Sequence, residues 1–95
     1  MYRIFESQDF KKSYRRLLQS GTFKPKARAE FIKILHLLRE GRSLPMRNRD
    51  HALSGEWHGY RECHIKGDLL LVYQIHDDVL VLVLVDIGSH PQLFG

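Results

Sequence analysis

The chain has 95 residues, 43% of them hydrophobic and 27% charged, which is enough for one folded domain and too little for two separate cores. No apolar run is long enough to span a membrane, and a single cysteine excludes an internal disulfide, so we predict a reducing, cytoplasmic location and no membrane partner. The net charge of +4 is unevenly spread, because residues 1–50 carry 13 of the 15 Lys and Arg and residues 51–95 carry two. A basic half favours an anionic partner such as nucleic acid, although solvated helix faces explain the same pattern slightly better.

The first half of the chain predicts a short strand followed by two amphipathic helices. Residues 2–5 are partly alternating, and Ser7 can cap a helix that Gly21 ends. Pro25 suits the first turn of a second helix that reaches Gly41. Apolar residues recur at helical spacing in both segments: Phe10, Tyr14, Leu17 and Leu18, then Ala27, Phe31, Ile34, Leu35 and Leu38. Each helix therefore has one apolar stripe that another element must cover.

The second half predicts three strands after a polar loop over residues 42–55. Residues 57–65, 69–75 and 79–87 are alternating or almost continuously apolar, as strands are. The segments between them are short turns, so both connections are expected to be antiparallel hairpins. The prediction is a single α+β domain over residues 1–95, in the order β-α-α-β-β-β. Its two helices would pack on one face of a small, largely antiparallel four-stranded sheet.

Ionisable side chains collect beside the most apolar part of the sequence, in the stretch RECHIKGDLLLVY. Strand alternation sends Glu62 and His64 to one face of the sheet, and Cys63 and Ile65 to the other. The two helices can cover only one face, and the Cys63 side suits them better. Glu62 and His64 are therefore expected on the open side, with Asp68 close by at the hairpin turn.

Three histidines can meet on that open face. His51 lies in the loop before the second strand, and His90 follows Gly88 after the last one. If loop and tail fold over the sheet, His51, His64 and His90 converge beside Asp68. Imidazoles exchange protons near neutral pH, and two of them flanking a phosphodiester supply a general base and a general acid. In RNA the nucleophile is the substrate's own 2′-hydroxyl, so this scheme uses no cofactor.

The motifs DHALSGEW, YRECHIKGDLLLVY and IGSHPQLF, in this order, resemble the YafQ branch of the RelE superfamily over essentially the whole chain. Members of that branch are bacterial type II toxin–antitoxin toxins that cut mRNA on the ribosome. The resemblance implies an antitoxin partner, contact with ribosomal RNA and mRNA, and operator DNA control through the antitoxin complex. It implies that the mRNA-cleaving site contains His51, His64, Asp68 and His90, with Phe94 as a substrate contact.

Several further positions receive a role in this interpretation. Glu62 matches an acidic position of the motif and is a secondary site residue, whereas Arg61 either holds phosphate or supports the fold. Phe94 either packs the C-terminus onto the sheet or stacks on a splayed base. Candidate contacts to the RNA backbone are Lys11, Lys12, Arg15, Arg47, Arg49 and Lys66. Departures from the family pattern at Gly67, Asp86 and Pro91 concern rate and codon preference more than the class of activity.

Two rival interpretations stay open. Cys63 and His64 point to opposite faces and no pair of residues has the compact ligand spacing of a structural zinc site, so no metal is expected. A metal hydrolase built on the three histidines and Asp68 is the remaining metal-dependent alternative. The other rival is a catalytically weak or idle protein that acts mainly through an antitoxin complex and operator DNA control.

Overall fold

The computed structural model describes all 95 residues and has the predicted α+β architecture, with two long helices against a mostly antiparallel sheet. In chain order the elements are β1 (Arg3–Glu6), α1 (Gln8–Ser20), α2 (Pro25–Arg39), β2 (His51–Ala52), β3 (Arg61–Lys66), β4 (Leu69–His76), β5 (Val81–Gly88) and α3 (His90–Phe94), with short 3₁₀ turns at Met46–Asn48 and Gly55–Trp57. The strand order is β1-β5-β4-β3-β2, and only β1 and β5 run parallel. No helix combines the length and the hydropathy that crossing a membrane requires.

The helix boundaries follow the local signals in the sequence. The Ser7 hydroxyl accepts a hydrogen bond from the backbone N–H of Phe10 at 3.0 Å and so caps α1. Gly21 ends α1 in the left-handed conformation, with φ at +76°, which glycine adopts without strain. Pro25 stands in the first turn of α2, where its missing N–H costs nothing. These predicted boundaries are confirmed.

The main hydrophobic core lies between the helices and one face of the sheet. Cys63, Leu71 and Ile87 are neighbours on adjacent strands and are at most 3% exposed. The helix side of the same core contains Phe10, Phe23, Phe31, Ile34 and Leu38. The predicted orientation of Cys63 and Ile65 towards the helices is therefore confirmed.

The structure has five strands where four were predicted. β2 lies inside the predicted loop, and its two residues are both exposed and too few to show any alternation. β3 begins at Arg61 rather than at residue 57, because residues 55–57 form a 3₁₀ turn and Gly59 follows with φ at +95°. β5 begins at Val81 rather than at residue 79, because Leu80 adopts a left-handed φ of +55° in the turn.

The opposite face of the sheet has a smaller cover of its own. Leu70 and Val72 are 2% and 0% exposed, yet they lie outside the helix-side core. Trp57, in the turn after β2, packs edge-on against Phe94 of α3 with ring centroids 5.1 Å apart. The loop and the C-terminal tail thus meet over this face, as the sequence predicted.

Candidate active site

The centre of the candidate site is a buried carboxylate with two accessible imidazoles. β2 pairs with β3 so that His51 stands directly opposite Glu62, and His64 follows two residues further on the same face. Oε2 of Glu62 lies 3.3 Å from Nε2 of His51 and 3.9 Å from Nε2 of His64. The Glu62 side chain is 7% exposed, whereas those of His51 and His64 are 50% and 30% exposed. The imidazoles can therefore reach a substrate that the carboxylate cannot.

The ring of His51 is oriented from both sides. Its Nδ1 lies 2.7 Å from the backbone carbonyl oxygen of Arg49, which can only accept a hydrogen bond. Nδ1 therefore carries a proton in either charge state, and Nε2 is the nitrogen that gains and loses one. That nitrogen faces Glu62 and the solvent. The loop has thus placed the exchangeable proton of His51 at the exposed face.

A buried asparagine supports the backbone behind His64. The side-chain amide of Asn48 donates to the carbonyl oxygen of His64 at 2.8 Å and to Oε2 of Glu30 at 3.0 Å. Arg47 donates to the same Glu30 oxygen at 2.9 Å. The hydrogen bond from Arg47, followed by that from Asn48, lowers the pKa of the Glu30 carboxyl group. Asn48 thus joins α2 to the strand that carries His64.

A second polar network holds the segment before His51 from the helix-covered face. Arg61 donates to Asp50 at 3.1 Å and to the hydroxyl oxygen of Tyr73 at 3.3 Å, and Tyr73 donates to Asp50. Burial, followed by the hydrogen bond to Asp50, raises the pKa of the Tyr73 hydroxyl. Arg61 is thus engaged on the face away from Glu62. Of its two predicted roles, this geometry supports the structural one.

His90 and Phe94 lie on α3, at the same end of the sheet as His64. Gly88 pairs with Leu70, which pairs with His64, so two strand spacings, roughly 10 Å, separate the backbones of Gly88 and His64. Ser89 then starts α3 with a capping box, in which its N–H donates to the Gln92 side chain at 2.8 Å. The His90 ring is exposed and packs against Phe94 with centroids 5.0 Å apart. Phe94 in turn packs on Trp57, which matches the packing role predicted for it.

Asp68 and Lys66 take a more peripheral place. Both are exposed at the turn between β3 and β4, where they line a groove on the side of α1 and α2. The direct contacts of the site are those among His51, Glu62 and His64.

Three features of the site were missed or underrated in the sequence. Glu62 is its centre rather than a secondary residue, and the signal for this was its pairing with His51, which requires β2 to be recognised. Asn48 and Asp50 support the site from within a polar loop, where nothing in the local pattern marks them. No group of three or more His, Cys, Asp or Glu side chains is arranged to hold a metal ion.

Comparison with known proteins identifies the family. Residues 2–95 match the model of the bacterial toxin of type II toxin–antitoxin systems, YafQ. The mRNA interferase toxin YafQ of Escherichia coli K12 is 40% identical over 52 residues, or 55% of this chain and 54% of that protein. The chain matches at most 65% of the length of the curated relatives.

Solved structures agree over the full length. A metal-bound toxin from Helicobacter pylori is 39% identical with a TM-score of 0.86, and 99% of this chain and 100% of that one are covered. The E. coli DinJ–YafQ complex contains a chain 28% identical, with a TM-score of 0.83 and full coverage of both. The fold and the family match are those of a small α+β toxin of a bacterial type II toxin–antitoxin system. The chain belongs to the YafQ toxin family.

Proposed function

We propose that the protein is an endoribonuclease, an mRNA interferase that cleaves mRNA in the decoding site of the ribosome and so inhibits translation. The observation that carries this proposal is the Glu62 carboxylate in contact with His51 and His64 on an accessible sheet face, with His90 at the same end. The name of the E. coli relative, an mRNA interferase toxin, supports the same activity.

The chemistry is a metal-independent transesterification. A general base removes the proton of the 2′-hydroxyl, and the resulting oxygen attacks the adjacent phosphorus. A general acid gives a proton to the 5′-oxygen as its bond to phosphorus breaks. The products are a 2′,3′-cyclic phosphate and a 5′-hydroxyl end. We assign the two proton transfers to His90 and His64, while Glu62 holds the imidazoles and balances positive charge on them.

Ribosome dependence fits the exposed character of the site. His51 and His90 stand on an open surface, and His90 makes its ring contact only with Phe94 on its own helix. Such a surface orients a flexible RNA poorly by itself, and orientation accounts for a large part of a catalysed rate. The ribosome would supply that orientation in the cytoplasm, with basic side chains such as Lys11, Lys12 and Arg15 on its RNA.

The protein is proposed to be restrained by a cognate antitoxin, which would also connect it to operator DNA. The DinJ–YafQ complex of E. coli shows that a relative assembles with an antitoxin. This chain offers unpaired apolar surface for such a partner, with Phe5 on the edge strand 60% exposed and Ile32 on α2 63% exposed. Side chains of this size cluster at protein interfaces.

Primer extension on transcripts, with and without ribosomes, tests the proposal. Wild type is expected to cut mRNA efficiently only when ribosomes are present, and His90→Gln and His64→Gln to lower the rate by about 10²–10⁴-fold. His58→Gln and His36→Gln, two exposed histidines outside the cluster, serve as matched controls and should cut normally. A chelator selective for zinc and other transition metals, which leaves the Mg²⁺ of the ribosome bound, should leave the rate unchanged. No cleavage by wild type would favour the idle binding protein, whereas cleavage by all four variants at the wild-type rate would overturn the roles of His64 and His90.

A further inference from the structure

A groove of about 970 Å³ lies outside the histidine–carboxylate cluster. It is bounded by the end of α1, the start of α2, the β3–β4 turn and α3. Small-molecule sites in proteins measure roughly 300–1,000 Å³, so the groove is large enough for at least one nucleotide. The chemistry proposed above makes no use of it.

The lining of the groove has an apolar floor and a basic rim. The side chains that make its apolar surface include Leu17, Ala27, Leu69, Ile87 and Leu93. Its charged residues are four basic ones and a single acid: Arg16, Lys24, Lys26, Lys66 and Asp68. A smaller cavity of about 430 Å³ elsewhere is lined by two arginines and two aspartates, so its charges balance. The excess of positive charge is therefore a property of this groove.

The groove adjoins the candidate active site through residues that follow or precede its histidines in the chain. Lys66 and Asp68 line it, and Lys66 is two residues after His64 on the same strand. Ser89, which caps α3 immediately before His90, lines its other side. A strand of RNA whose phosphate lies between His64 and His90 therefore has the groove as a neighbouring surface.

We propose that this groove binds an unpaired nucleotide of the RNA next to the cleaved phosphate. The base would rest on the apolar floor while flanking phosphates contact the lysines of the rim. Bases splayed out of a single strand are the usual targets of protein contacts in RNA, and a basic track along the backbone commonly accompanies them. An acidic peptide would satisfy the same charge, but the groove residues Lys66 and Ser89 lie beside His64 and His90, which favours RNA. The inference rests on the proposed function.

Binding of an RNA that cannot be cut tests the groove separately from the chemistry. The probe is a single-stranded pentanucleotide with 2′-O-methyl groups, which removes the attacking hydroxyl, added to ¹⁵N-labelled wild-type protein. We expect backbone amide shifts at Lys24, Lys26 and Ala27 and at residues 66–69. Lys26→Glu should weaken binding and reduce the slope of log Kd against log salt by about 0.7, the value for one lost phosphate contact on a single strand.

Lys33→Glu is the matched control, because it makes the same charge change on the same helix outside the groove. It should leave the salt slope unchanged. Glutamate in the first turn of α2 is favourable for the helix, so loss of folding is not the expected result of Lys26→Glu.

The outcomes separate this inference from the proposed function. Two results would contradict RNA binding in the groove without affecting the nuclease proposal. One is amide shifts confined to β2 and β3, and the other is equal weakening of RNA binding by Lys26→Glu and Lys33→Glu. A glutamate-rich peptide of equal charge that fills the groove at lower concentration than the RNA would contradict RNA binding in the groove as well. If wild type cuts no RNA and the pentanucleotide still shifts the amides of Lys24, Lys26 and Ala27, the nuclease proposal fails and the groove stands as an RNA site.

Discussion

Asn48 donates a hydrogen bond from its side-chain amide to the backbone carbonyl of His64 at 2.8 Å, with only 1% of its own surface exposed. β2 begins at His51, which pairs with Glu62 of β3. Beyond Glu62, where His64 stands, β3 therefore has no strand neighbour on that edge. The amide of Asn48 supplies the missing N–H donor. A side chain thus replaces a strand at the position that carries a candidate proton-transfer group.

Replacing Asn48 is expected to cost both stability and activity. Asn48→Ala leaves the carbonyl oxygen of His64 without its side-chain donor and Glu30 with Arg47 alone, and should lower the free energy of unfolding by about 1–3 kcal/mol. Asn48→Asp has the same shape but turns a carboxylate toward both oxygens, so it should cost more than Asn48→Ala at pH 7. Urea denaturation measures the free energy of unfolding of both variants. Asn48→Asp at least as stable as Asn48→Ala would show that the amide does not have this role.

The contact between Glu30 and its two donors predicts an acid-sensitive part of the stability. Hydrogen bonds from Arg47 and Asn48 lower the pKa of Glu30 from its ordinary value of 4.5. When folding lowers the pKa of a carboxyl group, that group stabilises the fold fully at pH values above its unfolded-state pKa. The stabilisation is lost as pH falls through the folded-state pKa. Glu30→Gln should therefore be less stable than wild type at pH 7, and the difference should close as pH falls below 4.5. Urea midpoints at pH 7, 5 and 3 test this, and a gap that widened in acid would contradict it.

Glu62→Gln should slow cleavage without weakening RNA binding. Glutamine keeps the size of the side chain but removes the charge that contacts His51 and His64. Because Glu62 is 7% exposed, it cannot touch RNA, so the loss, about 10²-fold, should fall on kcat and leave KM unchanged. Glu56→Gln, an exposed acid in the adjoining turn, is the control and should behave as wild type. A rise in KM with unchanged kcat would show that Glu62 contributes to RNA binding rather than to holding the imidazoles for proton transfer.

The thiol of Cys63 is predicted to be inert in the folded protein. It is fully buried in the core, and that burial raises its pKa well above the ordinary value, which suppresses the reactive thiolate. Iodoacetamide should therefore modify Cys63 only as fast as the protein unfolds. Rapid labelling under native conditions, at the rate of a free thiol, would show that β3 opens locally and that His64 moves with it.

The parts of the fold that the sequence predicted are those controlled by neighbours along the chain. A serine cap, a terminal glycine and a helical apolar stripe act within a few residues, and the two long helices were predicted correctly, whereas the short helix α3 was not predicted. Strand alternation likewise separated Glu62 and His64 from Cys63 and Ile65. Each of these signals depends on backbone geometry with a fixed period.

The missed parts depend on partners far along the chain. β2 has two residues and is a strand only because Glu62 and Arg61 pair with it. The hydrogen-bond partners of Asn48 lie 16 and 18 residues away, so no local pattern marks it. The central place of Glu62 follows from the same pairing. Strand alternation thus placed Glu62 and His64 on one face, and strand pairing brings His51 into contact with Glu62.

The position of α3 over the sheet predicts a specific role for Gly88. A Cβ added there would lie 2.8 Å from Oε1 of Gln92, the atom that accepts the N–H of Ser89 in the capping box. Gly88→Ala should therefore push the Gln92 side chain out of the capping box and loosen α3, and with it His90 and Phe94, while the helix-side core stays folded. Trp57, the single tryptophan, contacts Phe94, so its fluorescence reports this loosening and its emission should shift to longer wavelength.

A double-mutant cycle separates the clash at Gly88 from a general loss of stability. Gln92→Ala removes the obstructing oxygen and one of the two hydrogen bonds of the capping box, while the backbone N–H of residue 92 still donates to Ser89, so α3 should loosen to a limited extent by itself. Adding Gly88→Ala to Gln92→Ala should then cost much less, in Trp57 emission and in cleavage rate, than Gly88→Ala costs alone. Additive effects would contradict the steric explanation. They would mean that an added Cβ at residue 88 acts through another neighbour, such as Leu93 at 3.5 Å, rather than through the close approach of residues 88 and 92.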